Sequence, residues 1–173
     1  MNNASVHLKL VTVAAIWGFG WPAGRVVATE VPPITAAWIR YVIVVALFLL
    51  YLRWSKQWVL PSTTQWRQVC LIGLFSTFLY QVLFMYGMGF TAAGDASLMI
   101  TFNPLFTAFL AVFFLGEAMT KRLFGGLGLA VAGVTVLFLA SPNTDIATAD
   151  RWLGNTFIAG SALAWACSTI VMK

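Results

Sequence analysis

Six apolar runs dominate this chain, at approximately residues 8–27, 34–52, 68–88, 96–115, 123–139 and 156–172. Most approach the ~20 residues that a helix needs to cross a hydrocarbon core, and the sixth is on the short side. Inside a bilayer no water pairs the backbone N–H and C=O groups, so such runs must form helices that satisfy those groups internally. The prediction is an all-α, polytopic membrane protein with six transmembrane helices. Composition agrees: 61% of the 173 residues are hydrophobic and 9% charged, with a mean hydropathy of +0.89, whereas soluble domains carry about 25% charge. The first run exceeds the ~7–15-residue apolar core of a signal peptide and shows no convincing small-residue cleavage site, so it is read as a retained helix.

The ten basic residues are scattered between the runs rather than gathered on one face, so the net charge of +5 is read as setting topology, not as recruiting nucleic acid. Alternate segments carry Lys9, then Arg53, Lys56 and Arg67, then Lys121 and Arg122, then Lys173. The opposite segments carry only Arg25 and Arg151, against Glu30, Asp95, Asp145 and Asp150. This seven-to-two bias predicts a cytoplasmic N-terminus. Cys70 and Cys167 fall within apolar runs and read as free buried thiols; the single histidine, His7, leaves no His-based metal site. No cofactor is expected.

Within the first run, Trp17-Gly18-Phe19-Gly20-Trp21-Pro22-Ala23-Gly24-Arg25 is built to be irregular, since the glycines lower helix propensity and Pro22 removes a backbone donor. A faint echo recurs around Trp165: aligning it with Trp17 also aligns Ala14 with Ala162, Gly20 with Ser168 and Arg25 with Lys173. The two copies are an odd number of spans apart, so a five-helix repeat would insert upside down, a recurring transporter design. The expected division is a five-helix repeat over 1–142, a polar linker over 143–155, and the first helix of a second, incomplete repeat over 156–173.

Residues 95–139 contain Asn103-Pro104 on a helix ending in Leu115-Gly116-Glu117, then a Gly/Ala-rich helix closing on Ala132-Gly133-Val134. With Trp17-Gly18 in the first helix and Arg40 in the second, this order resembles the EamA-type branch of the drug/metabolite transporter superfamily, over nearly the whole chain. The resemblance implies ten helices in two inverted five-helix repeats, in a bacterial inner membrane, moving small metabolites or drugs.

Six residues are candidates for contact with a small-molecule substrate: Trp17, Arg40, Tyr80, Gln81, Asn103 and Trp165. Arg40 is an intramembrane charge about two turns into the second helix, either snorkelling to the interface or binding an anionic group. Thr77, Tyr80, Gln81 and Phe84 can share one face, and Gln81 must face a helix or a cavity rather than lipid. Pro104 frees the carbonyl of residue 100, with Asn103 and Thr107 on one side, which suits either a structural kink or a cavity wall. Trp17 and Trp165 are read as paired aromatic walls or as ordinary packing. Arg25 is expected as an interfacial anchor, Asp95 as a helix N-cap, Glu117 as the partner of Lys121, Thr120 as the opener of the fifth helix, and the glycines of that helix as a close-packing face.

All five carboxylates lie in loops or at helix ends, so none serves as a mid-membrane proton carrier, and no paired acids, histidine cluster or nucleophile–base pair points to an enzyme. The expected function is a carrier, in the exporting direction, for small organic solutes, working by alternating access. The alternative is a non-transporting helical subunit or inactive half-transporter. The lipid bilayer is the certain partner; a homodimer or pairing with a second half stays open.

Overall fold

A computed structural model describes residues 3–56, 59–140 and 145–173. They form six helices: α1 (Asn3–Glu30), α2 (Pro33–Ser55), α3 (Thr63–Phe90), α4 (Ala93–Leu115), α5 (Lys121–Ala140) and α6 (Thr148–Met172). No strand occurs among the described residues. Five helices, α1 to α4 and α6, are long and apolar enough to cross a membrane. The chain is an all-α polytopic membrane protein.

Local chemistry fixes most helix ends. Pro33 opens α2, where its missing N–H would have had no partner. Ser62 and Gln65 form a reciprocal capping box, with Ser62 N donating to Gln65 Oε1 at 2.8 Å and Gln65 N to Ser62 Oγ at 3.4 Å. That box starts α3 at Thr63, five residues ahead of the expected 68. Gly116 closes α4 with φ of +67°, a conformation that disfavours any side chain. Thr120 Oγ1 accepts from Leu123 N at 3.2 Å and opens α5, as expected.

Two helices depart from α geometry midway. In α3, Gly73–Leu79 is a π-helical stretch, so Tyr80 N bonds Phe75 O rather than the carbonyl of residue 76. In α4, Ile100–Phe102 tightens to 3₁₀ just before Asn103-Pro104, where Pro104 supplies no N–H. The break expected from Pro104 is there.

α1 starts at Asn3, ahead of the first apolar run near residue 8, and residues 1–2 lie outside the described residues. The linker expected over 143–155 is helical from Thr148, while residues 143–144 lie outside the described residues. Sequence polarity concealed this start. Arg151 and Asn155 are polar and helical because each has a partner inside the bundle.

Asp95 is not the cap of α4: the cap position is Ala92, and the Asp95 carboxylate instead takes the Arg151 guanidinium. Glu117 likewise pairs with Lys173, at 3.0 Å, rather than with Lys121. These two pairs bracket α4 and α6 at opposite ends, so the helices run parallel. Each advances 22 residues between its charged positions, 95 to 117 and 151 to 173. At ~1.5 Å per residue that is about 33 Å, the depth of a hydrocarbon core and a small margin.

The apolar core gathers at the end of the bundle where α1 finishes, called here the Glu30 end. It comprises Ala28, Ala36, Phe84, Met85, Met88, Ala96 and Ile158, flanked by Trp21, Tyr80 and Met99. At its centre α3 and α6 meet backbone to backbone. A Cβ on Gly87 would lie 2.7 Å from Ile158, and one on Gly154 would lie 2.7 Å from Thr91 N. The close-packing face expected on α5 is not used: nothing lies within 4 Å of where a Cβ would stand on Gly125, Gly126, Gly128 or Gly133. Cys70 is exposed rather than buried, and both cysteines are free.

Candidate functional site

One cluster of polar groups at membrane depth comes from α2 and α3. Arg40 lies seven residues into α2 from Pro33, about 10 Å along the axis. Its Nη1 donates to Gln81 Oε1 at 3.3 Å. The neighbouring Tyr41 hydroxyl donates to Thr77 O at 3.2 Å, one turn earlier on α3 and inside the π stretch. A π turn displaces carbonyls from the regular ladder, and such turns are frequent at functional sites. Together these bonds form a polar seam between α2 and α3.

Gln81 is 2% exposed, and its Nε2 is buried with no hydrogen-bond partner. Arg40 itself is exposed and faces a cleft of about 480 Å³. The remaining walls are aliphatic: Val27 of α1 and Val31 just past its end, with Ala36, Ile39, Ile43 and Val44 of α2. The site is therefore a single guanidinium in an apolar trough, backed by an amide.

An aromatic chain runs beside it. Trp21 of α1 meets Phe84 with ring centres 5.6 Å apart; Phe84 stacks on Tyr80 at 5.7 Å; Tyr80 meets Trp165 of α6 edge-on at 5.3 Å. Tyr80, Gln81 and Phe84 all face into the bundle, while Thr77 contributes its carbonyl to the seam. The chain of rings connects the first helix to its sequence echo.

Of the six sequence candidates, Arg40, Tyr80, Gln81 and Trp165 are brought together. Trp17 is 75% exposed and outside the ring chain; Trp21, one turn later, occupies the place expected for it. Asn103 is half-buried, and its described bonds stay within α4, where Thr107 Oγ1 reaches Asn103 Oδ1 at 3.4 Å. Sequence reasoning missed Trp21 and Tyr41. Both carried a signal, because Trp21 follows Trp17 by four residues and Tyr41 adjoins the only arginine inside a span's middle.

Other polar residues build the frame. Arg25 donates to the carbonyl of Met88, one of the last acceptors of α3, and its charge suits that negative helix terminus. It is a crosslink between α1 and α3, not only an interfacial anchor. Thr91 Oγ1 donates to Asn155 Oδ1 at 2.7 Å in the buried seam between α3 and α6. Among the described residues no group of histidine, cysteine or acid side chains could hold a metal ion.

Residues 4–139 match the EamA-like transporter family. Protein PagO of Salmonella typhimurium is 26% identical over 166 residues, covering 94% of this chain and 53% of PagO. Transporter YvbV of Bacillus subtilis is 28% identical over 166 residues, covering 96% and 53% respectively. A probable terminal-alkyne amino-acid exporter of Streptantibioticus cattleyicolor is 33% identical over 93 residues, 54% of this chain and 31% of that protein. The chain spans about half the length of the curated relatives it matches over its whole extent. No solved structure matches. A family match running from residue 4 to residue 139 of 173, on a bundle of bilayer-length helices, means that this chain is a multi-pass membrane protein and belongs to the EamA-like transporter family.

Proposed function

We propose that the chain is part of an inner-membrane exporter of small organic solutes, with its N-terminus in the cytoplasm and Arg40, Tyr80, Gln81 and Trp165 in the substrate site. The observation that carries this reading is the junction of the Arg40–Gln81 pair with rings from both echo helices, α1 and α6. α6 runs parallel to α4 and therefore opposite to α1, which suits two inverted repeats rocking about a shared site. In that scheme the open space around Gly18 and Gly20 of α1 is where the second repeat packs, as α3 and α4 pack on α6. The name of the Streptantibioticus relative supports export of a small organic solute. The seven-to-two charge bias supports the orientation.

The second reading is a non-transporting subunit or half-transporter that acts only with a further half, supported by the half-length coverage of the relatives. Efflux from proteoliposomes separates the two. Joined to the remainder of a second repeat, the chain should release loaded solute in the first case, and Arg40→Ala and Gln81→Ala should each slow release by roughly tenfold, the worth of one charge-assisted bond. Unchanged rates in both variants would remove these residues from the site. No flux from that folded assembly would favour the non-transporting subunit.

A further inference from the structure

We propose that the Arg40–Gln81 pair is a carboxylate clamp, and that the solute it selects is an apolar monocarboxylate without an adjacent ammonium group. This rests on reading the cluster as the substrate site. Arg40 donates to Gln81 Oε1, which turns the Gln81 amide so that Nε2 is left buried and unpartnered. Flipping the amide would set a second donor against the guanidinium, so the chemistry fixes this orientation. The pair consequently offers only donors: the remaining guanidinium N–H groups and the Gln81 NH₂. A carboxylate, with acceptors on two oxygens, satisfies both residues at once.

The rest of the surroundings specify what the carboxylate is attached to. The cleft of about 480 Å³ before Arg40 is otherwise aliphatic, and Gln81 behind it is the chain neighbour of Tyr80 in the Trp21–Phe84–Tyr80–Trp165 series of rings. That volume suits a small organic molecule. Among the described residues no carboxylate lines the cleft. Glu30, Asp145 and Asp150 are exposed at helix ends or turns, Asp95 holds Arg151, and Glu117 holds Lys173. An ammonium beside the carboxylate would meet the like charge of Arg40 with no counterion, which selects against amino acids and amines. Nε2 is closed to water as the pair stands, so binding requires the exposed Arg40 side chain to shift, keeping one N–H on Oε1 while its other N–H groups and the uncovered amide NH₂ take the incoming carboxylate.

The test uses the 173-residue chain in phosphatidylcholine nanodiscs, with binding followed by tryptophan fluorescence and by thermal shift. The probes are 3-phenylpropionate, its neutral amide, phenethylamine and phenylalanine. 3-Phenylpropionate should bind at least about tenfold more tightly than the other three. Arg40→Ala should erase that preference, Arg40→Lys should retain part of it, and Gln81→Met should lower carboxylate affinity while sparing the neutral amide. Equal binding of all four probes would overturn the clamp and leave the aromatic site standing. Failure of every probe on a folded chain would overturn both. Carboxylate affinity indifferent to Arg40→Ala, with the variant melting lower, would assign Arg40 to lipid headgroups and overturn the clamp.

Discussion

α1 and α6 are echoes of each other in sequence and have the same mean hydropathy, yet 39% of the most apolar stretch of α6 is buried and none of that of α1. The difference lies in what meets them. α6 presents small residues, among them Gly154, Ala162, Ala164 and Ala166, and lies in the groove of α3 and α4. α1 touches the bundle only near its C-terminal end, through Trp21, Gly24, Arg25 and Ala28. Since lipid tails are as apolar as leucine, hydrophobicity does not draw helices together in a membrane. Close packing and hydrogen bonds do. α2, the most apolar span, is accordingly among the least buried.

If that account is right, breaking the polar clasp of α6 should cost most. Asp95→Ala leaves the Arg151 guanidinium, whose side chain is only 10% exposed, beside an absent acid, and should destabilise the protein by about 3 kcal/mol. Lys173→Ala at the half-exposed pair with Glu117 should cost no more than ~0.5 kcal/mol. Unfolding in mixed micelles measures both, and equal losses would refute the asymmetry between the two ends.

Next in size is the glycine contact. Gly154→Ala forces a methyl group against the Thr91 backbone and should cost about 2 kcal/mol, with α6 displaced from α3. Gly18→Ala and Gly20→Ala on α1 meet open space and should be neutral or stabilising by up to ~1 kcal/mol, through helix propensity. A similar loss at Gly18 would show that α1 is packed after all. Below the glycine contact comes Thr91→Val, which removes the bond to Asn155 and should cost ~1 kcal/mol or less in the same assay, as interhelical bonds in bilayers do.

What was legible in the sequence follows the same division. Run length announced the helices, and Gly116, Thr120 and Pro104 marked local breaks, because those effects act within a few residues. The joining of Arg40 to Gln81 needed two helices to meet, and only the residue types, not their partnership, could be read from the chain. The glycine error is instructive. Six small residues on α5 form the more conspicuous pattern, whereas the close approach occurs at Gly87 and Gly154, neither of which lies in so dense a run of small residues. Whether a glycine is used depends on what stands opposite, and that is a property of the fold. Asp95 was misassigned for a related reason: a local role was assumed for a group whose partner, Arg151, lies 56 residues away.

The equal 56-residue offset of the two ion pairs between α4 and α6 also has a mechanical consequence. Sliding α6 by one turn along α4 would part both pairs together, so piston motion between these helices is disfavoured. Pivoting is not. The buried pair is a firm pin and the exposed one a loose tether, which makes the Glu30 end a fulcrum. With a lever arm of about 33 Å, a tilt of about 10° at the pin carries the opposite end of α6 through about 6 Å.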